Sequence, residues 1–137
     1  MKNEKAIITA FVNHIKANYP LAYTKKIKQD ISSRGFPDLI IIITGVSLFL
    51  EAKQKGKFPT ILQKTCINEI AKSGGVAGWF DYDKDLDSFR IFFNEEVLKS
   101  MDSSILNKDE KSELYYILLK RNSFKLHMED LFWSLKS

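Results

Sequence analysis

Two apolar runs separated by one short turn constrain the fold of this chain more than any other feature. They predict the strands Leu39–Ile43 and Ser47–Lys53, with Thr44–Val46 as the turn between them. A turn this short joins antiparallel strands, so the pair is predicted to form a β-hairpin. Residues whose numbers sum to about 90 then lie opposite one another. This pairing brings Asp38, immediately before the first strand, next to the end of the second.

Three charged side chains are predicted to meet at this end of the hairpin. Asp38 follows a proline, while Glu51 and Lys53 end the second strand and, being two residues apart, share one face of it. Buried charge is costly unless it is paired, hydrogen-bonded or bound to a metal, so this corner is a candidate site. Simpler interpretations stand beside this one. In the first, Asp38 only starts a strand after a turn. In the second, Glu51 and Lys53 only form an exposed ion pair, worth less than about 1 kcal/mol.

The oxygen atoms at this corner are the kind that a hard divalent cation such as Mg²⁺ prefers. Asp38 and Glu51 supply two carboxylates, and the Ala52 carbonyl lies between Glu51 and Lys53. Glu4 adds a third carboxylate if the predicted first helix packs against this corner. Such a cation polarises a phosphodiester and lowers the pKa of a bound water. Lys53 is suited to orienting that water or to stabilising the charge that develops on the phosphate.

Two outer residues complete the candidate set. Gln63 falls in the first turn of a helix that is predicted to start at Pro59–Thr60, where free backbone N–H groups favour phosphate or water. Glu4 falls in the first turn of a helix predicted over residues 3–18. Their simpler interpretations are a surface side chain for Gln63 and, for Glu4, a complement to the helix dipole worth a few tenths of a kcal/mol.

The composition fits one domain with its own core. The chain has 137 residues, of which 45% are apolar. No apolar run approaches the roughly 20 residues of a membrane span, and the N-terminal stretch lacks the features of a secretory signal. The single cysteine, Cys66, excludes an intrachain disulfide and fits a reducing compartment. We therefore expect an intracellular protein without a membrane partner.

The positive charges are clustered around the candidate site. Lysine and arginine number 21 against 17 acidic residues, and the acids concentrate between Asp81 and Glu113. A basic patch beside a carboxylate cluster suggests a phosphate-bearing substrate, against the alternative of a solvated charged face. The residues predicted to contact nucleic acid are Lys25, Lys26, Lys28, Arg34, Lys55, Lys57 and Lys64.

The remaining elements are predicted from apolar periodicity and from Gly and Pro positions. Strands are expected at 21–27 and 76–80, with the second helix ending at 73–75. Leu86–Met101 is ambiguous, and a helix is favoured over an edge strand. Asp109–Arg121 and Phe124–Lys136 are predicted to form a helical hairpin. The whole chain, 1–137, is thus one domain with a core at 1–101 and an appended hairpin at 102–137.

The spaced motif Pro37-Asp38 and Glu51-Ala52-Lys53 resembles that of the PD-(D/E)XK phosphodiesterase superfamily. The run from Lys53 to Gln63, a basic glycine-containing loop followed by a helix with a glutamine, resembles the VRR-NUC branch. The glycine-terminated helix before 76–80 fits the same branch. The resemblance covers about residues 4–82. It departs at Ile67, where relatives with a QxxxY motif have tyrosine.

This resemblance implies an α/β, restriction-endonuclease-like fold with an αβββαβ core, in which a mixed sheet is flanked by helices. It implies Mg²⁺- or Mn²⁺-dependent hydrolysis of DNA phosphodiester bonds, and hence a deoxyribonuclease. The site residues that it implies are Glu4, Asp38, Glu51, Lys53 and Gln63, with the Ala52 carbonyl as a further metal ligand.

The resemblance also bears on substrate and assembly. Stand-alone proteins of this type are often phage or bacterial, and some resolve branched DNA, such as Holliday junctions, as homodimers. No GxxxxGK[ST] motif is present, so no nucleotide cofactor is expected. Two alternatives remain: a non-catalytic module on the same fold that binds nucleic acid or a partner, and a nuclease subunit that works with a separate helicase.

Overall fold

The computed structural model describes residues 3–28, 34–43, 45–99, 101, 103–111 and 113–120. Within these ranges the helices are α1 (Glu4–Asn18), α2 (Ile61–Lys72) and α3 (Glu95–Lys99), with a short 3₁₀ turn at Ser103–Ile105. The strands are β1 (Tyr23–Lys26), β2 (Leu39–Ile43), β3 (Val46–Ala52), β4 (Val76–Asp83), β5 (Ser88–Phe93), β6 (Asn107–Asp109) and β7 (Leu114–Lys120).

One mixed sheet organises the described part of the chain. Its seven strands follow the order β1-β2-β3-β4-β5-β7-β6. The β3–β4 pair is parallel and is joined through α2, whereas the other described pairs are antiparallel. The first six elements therefore run α1-β1-β2-β3-α2-β4. The predicted αβββαβ order and the mixed sheet flanked by helices are confirmed.

α1 covers one face of this sheet with an apolar stripe. Asn3 caps the helix, because its Oδ1 accepts a hydrogen bond from Ala6 N at 2.8 Å. Ile7, Phe11 and Ile15 are buried beneath the helix, and the Phe11 ring lies 4.4 Å from that of Phe80 on β4. The helix predicted over residues 3–18 is confirmed. No helix in the described ranges is long and apolar enough to cross a membrane.

The predicted hairpin is confirmed in type and in register. Leu39 pairs with Leu50, and Ile43 pairs with Val46, so the paired residue numbers sum to 89. Gly45 has a φ of +81°, a left-handed conformation that favours glycine. One face of the hairpin is fully buried towards α1, and the other carries Glu51. The hairpin therefore holds Asp38 and Glu51 at one end of the sheet.

The helix predicted for Leu86–Met101 is wrong over most of its length. Ser88–Phe93 is strand β5, and all six of its residues are buried. Only the short α3 that follows is helical. A strand covered on both faces shows no apolar–polar alternation, and here its one charged residue, Arg90, is neutralised by Asp81 on β4. The spacing of its aromatic residues therefore mimicked a helical stripe.

The helix predicted for Asp109–Arg121 is also wrong. Leu114–Lys120 is strand β7, which lies between β5 and β6. Glu113 has a φ of +55°, which breaks helical geometry just before the strand. Two tyrosines and an isoleucine at its centre suit a pleated surface. The second arm of the predicted hairpin, Phe124–Lys136, lies outside the described residues.

Candidate active site

The side chain of Asp38 is hydrogen-bonded to the backbone at the end of β3. Its Oδ2 accepts a hydrogen bond from Ala52 N at 3.0 Å. The next residue, Lys53, donates its N–H to Phe80 O on β4 at 2.8 Å. In a strand, the carbonyl of one residue and the N–H of the next residue point to opposite sides. The Ala52 carbonyl therefore points away from β4, towards the side on which Asp38 lies.

Glu51 is a carboxyl group that the fold almost completely desolvates. It is 3% exposed, and its Oε1 accepts a hydrogen bond from Gln63 Nε2 at 3.0 Å. In the ionised form its buried Oε2 has no hydrogen-bond donor among the described residues. The pKa of Glu51 is raised to about 9, and burial is the largest cause. The neighbouring Asp38 contributes to the rise as a proton acceptor and a negative charge, Lys53 opposes it, and Glu4 adds a smaller repulsion.

Gln63 links the start of α2 to this carboxyl. Its Oε1 accepts from Thr60 N at 2.9 Å, and its own N–H donates to Thr60 Oγ1 at 3.2 Å. This reciprocal capping box fixes which end of the amide faces Thr60 and turns Nε2 towards Glu51. The Thr60-x-x-Gln63 spacing is a recognisable sequence signal for this motif.

Lys53 and Glu4 lie at the outer side of the corner. Lys53 is 9% exposed, and its Nζ lies 3.8 Å from Oε1 of the half-exposed Glu4. Across the described ranges, no three His, Cys, Asp or Glu side chains come together in a group that could hold a metal ion. The structure thus brings Glu4 to Lys53 but forms no three-carboxylate cluster with Asp38 and Glu51.

The oxygen atoms that lie together at this corner are suitable ligands for a divalent cation. Asp38 and Glu51 provide carboxylate oxygens, one of them buried without a donor, and the Ala52 carbonyl points towards the same side. Mg²⁺ is commonly bound by one or two carboxylates, with waters and substrate phosphates completing its shell. Two carboxylates and a carbonyl are therefore a chemically sufficient set.

The predicted nucleic-acid contacts fall into two groups. Six of them form the first group, and all six are exposed: Lys25, Lys26, Lys28, Arg34, Lys57 and Lys64. Lys55 differs, because its Nζ lies 3.2 Å from Asp83 Oδ2 and 3.6 Å from Asp85 Oδ2. Partial burial opposes ionisation of Asp83, but hydrogen bonds from Leu86 N and Lys55 hold its pKa below the usual value. Lys55 is therefore held by carboxylates in this structure.

Two further residues near the corner were not assigned a role from the sequence. Trp79 lies beside Glu51 in the parallel register of β3 and β4, and its ring stacks on Phe92 with centroids 5.2 Å apart. Asp83 ties the β4–β5 turn to the loop that follows Lys53. Both placements depend on strand register and tertiary contact, so no local sequence pattern could have indicated them.

Comparison with known proteins gives structural similarities only. No protein-family model matches the sequence, and no curated protein matches it. The structure is similar to Hjc of Archaeoglobus fulgidus, a Holliday junction resolvase, with a TM-score of 0.49, 13% identity, and coverage of 83% of this chain and 87% of that one. It is also similar to a nuclease from a fusselovirus, with a TM-score of 0.43, 12% identity, and coverage of 95% and 90%. At these scores neither similarity assigns a function.

Proposed function

We propose that this protein is a metal-dependent DNA endonuclease of the VRR-NUC type, acting inside the cell at the corner formed by Asp38 and Glu51. The observation that carries the proposal is the carboxyl group of Glu51. It is 3% exposed and has one oxygen without a donor, beside a second carboxylate that repels its charge. Two neighbouring carboxylates, with the buried Oε2 of Glu51 lacking a donor among the described residues, leave a place where a cation would offset their repulsion.

The residues suited to hold Mg²⁺ or Mn²⁺ are Asp38, Glu51 and the Ala52 carbonyl, with Glu4 as the predicted outer member. When bound, the cation supplies positive charge that polarises a phosphodiester and acidifies water. The chain's own groups have separate tasks. Gln63 fixes the orientation of the Glu51 carboxyl through its 3.0 Å hydrogen bond, which keeps that ligand in place before substrate arrives.

Lys53 supplies a positively charged side chain at the site, in addition to the metal ion. Its ammonium group is held near the corner at 9% exposure, 3.8 Å from Glu4. At this place it is suited to orienting a water molecule or to stabilising the negative charge that develops on the phosphate. Exposed lysines and Arg34 on neighbouring elements would bind the DNA backbone. A preference for branched DNA and a homodimeric assembly belong to this proposal through the resemblance.

Cleavage assays with three DNA forms test the proposal. Linear, supercoiled and four-way-junction DNA would be incubated with the protein in Mg²⁺, in Mn²⁺ or in EDTA. We expect metal-dependent cleavage that Asp38→Asn or Lys53→Ala abolishes, because the first removes a ligand charge and the second removes the local cation. DNA binding should persist in both variants, since the exposed basic residues are intact.

Matched exposed residues provide the controls. Glu96 on α3 and Lys84 in the β4–β5 turn are exposed, so Glu96→Gln and Lys84→Ala should cleave at the wild-type rate. Equal cleavage by Asp38→Asn would refute the site. Binding without cleavage by the wild-type protein would favour a non-catalytic binding module on the same fold.

A further inference from the structure

Exposed apolar side chains are concentrated at the start of α2, next to Gln63. Ile61 is 87% exposed, and Phe58 and Leu62 are each 48% exposed. Single exposed apolar residues are ordinary on protein surfaces. These three fall within five consecutive positions, at the end of the helix whose Gln63 contacts Glu51. None of them has a task in the hydrolysis described above.

Positive charge surrounds these side chains. Lys64 Nζ lies 6.0 Å from the centroid of the Phe58 ring, and Lys57 precedes Phe58 in the chain. Leu62 packs over Gly35, where a Cβ would lie only 2.7 Å from Leu62 Cγ, so the neighbouring Arg34 is close to the same surface. We call these six residues the α2 patch: Arg34, Lys57, Phe58, Ile61, Leu62 and Lys64. Its three charged members are all positive.

The α2 patch is built on a firmly held backbone. The capping box of Thr60 and Gln63 fixes the first turn of α2, and Pro59 before it is buried. Gly56, with a φ of +80°, occupies a turn closed by a hydrogen bond from Lys57 N to Gln54 O at 2.9 Å. A surface that is ordered in advance loses little conformational freedom on binding.

We propose that the α2 patch binds unpaired nucleobases at a branch, gap or flap in DNA, next to the phosphodiester held at Asp38 and Glu51. Phe58 and Ile61 contact the base faces, and Arg34, Lys57 and Lys64 contact the flanking phosphates. This inference rests on the proposed function and specifies its substrate class. Aromatic and aliphatic side chains serve in this way in other nucleic-acid-binding proteins, by stacking on bases or entering between them.

The charge and the apolar surface together decide the occupant. A second copy of the chain placed symmetrically on the patch would bring like positive charges together, which opposes association. DNA phosphates complement these charges. Entry of an apolar side chain between paired, stacked bases requires unstacking them, and this cost is smallest where the base is already single-stranded. The patch therefore favours branched or gapped DNA over continuous duplex.

Equilibrium binding in EDTA tests this inference without requiring cleavage. The probes are a gapped duplex and a fully paired duplex of equal length, each with 2-aminopurine at the same position. For the wild-type protein we expect tighter binding to the gapped DNA and a change in 2-aminopurine fluorescence. The double variant Phe58→Ala/Ile61→Ala should lose about tenfold in affinity for the gapped DNA, as expected for loss of a stacked base, and lose the fluorescence change.

The same variant should bind the paired duplex with unchanged affinity and unchanged salt dependence, because its lysines remain. Leu86→Ala is the matched control, since Leu86 is 50% exposed in the β4–β5 turn, outside the patch. It should keep the wild-type preference. Thermal unfolding of both variants confirms that they are folded.

Several outcomes would overturn the inference. These are equal losses on both DNAs, an unchanged preference in the double variant, no DNA binding at all, or a wild-type dimer in sedimentation that the double variant disrupts. The proposed function fails differently. A protein that prefers gapped DNA in EDTA but never cleaves in Mg²⁺ would refute the nuclease and retain the α2 patch. A protein that cleaves in Mg²⁺ but shows no preference for gapped DNA would retain the nuclease and refute the role of the α2 patch.

Discussion

At the scale of single residues, the hairpin geometry accounts for part of the candidate site. Strand alternation and the register set by the turn place Asp38 and Glu51 together, so the sequence alone was sufficient to predict that these two side chains are close. The contact between Gln63 and Glu51 required a tertiary arrangement of α2 that no local pattern specifies. Lys55 was assigned to DNA because it is basic and near the motif, whereas its carboxylate partners lie on a distant turn.

The pKa of Glu51 leads to a prediction about stability. The folded pKa is about 9, against an ordinary value of 4.5, so the folded protein keeps a proton that the unfolded chain releases between these values. In EDTA, the free energy of unfolding should therefore fall as the pH rises from 5 to 8. Glu51→Gln removes this dependence and should raise the melting temperature at pH 8 by several degrees relative to wild type.

Thermal unfolding at several pH values checks this expectation. The exposed Glu96→Gln variant serves as the control and should follow the wild-type curve. If wild type and Glu51→Gln change in parallel from pH 5 to pH 8, the carboxyl is not held in its protonated form. Added Mg²⁺ should raise the melting temperature of wild type more than that of Glu51→Gln, because the ligand charge is absent in the variant.

At the scale of secondary-structure elements, the predictions succeeded where a turn or a cap restricts the chain. The hairpin, α1 and α2 were correctly placed for this reason. β5 was wrongly assigned as a helix because it is buried on both faces, and β7 because its apolar residues recur without alternating with polar ones. In such short runs, a helical stripe and a strand covered on both faces cannot be separated by periodicity.

The ion pair between Lys55 and Asp83 joins two of these elements. It ties the loop after Lys53 to the β4–β5 turn at 3.2 Å. We expect Lys55→Ala and Asp83→Asn each to reduce the cleavage rate a few-fold while DNA affinity stays constant, since an ion pair whose lysine is 45% exposed contributes about 1 kcal/mol or less. The double variant should be no slower than either single variant, because both remove the same interaction.

Single-turnover cleavage and equilibrium DNA binding measure the two quantities separately. Asn at position 83 retains an oxygen for the hydrogen bonds from Asp85 N and Leu86 N, so the turn should stay intact. A direct contact between Lys55 and DNA, which the sequence predicts, leads to a different expectation. In that case Lys55→Ala would weaken binding and lower the salt slope by about one, while Asp83→Asn would not weaken binding.

At the scale of the whole molecule, one sheet continues beyond residues 4–82, the part of the chain that carries the family resemblance. β5, β6 and β7 add to the strands of the αβββαβ unit, and Ile117 and Leu119 of β7 join the same apolar cluster as Phe11 and Leu50. The sequence predicted a core at 1–101 with an appended hairpin. The described strands instead continue one sheet past residue 101. The single-domain organisation of 1–137 remains a prediction.

Removing one partner of a buried ion pair in this sheet should strongly destabilise the fold. Arg90 on β5 donates to both carboxylate oxygens of Asp81 on β4, with Nε 2.7 Å from Oδ1, and both residues are less than 10% exposed. Arg90→Met leaves Asp81 buried without its partner and should cost about 3–5 kcal/mol. Asp81→Leu/Arg90→Met should regain most of this loss. Urea denaturation measures both, and a double variant no more stable than Arg90→Met would contradict the expectation.

The central claim is that Asp38 and Glu51 carry metal-dependent hydrolysis of DNA. The most direct measurement is the single-turnover cleavage rate of a labelled four-way junction in Mg²⁺, compared between wild type, Glu51→Gln and the exposed control Glu96→Gln. We predict cleavage by wild type and Glu96→Gln, none in EDTA, and a rate for Glu51→Gln lower by at least about 100-fold. Cleavage by Glu51→Gln at the wild-type rate, or undiminished cleavage in EDTA, would contradict the claim.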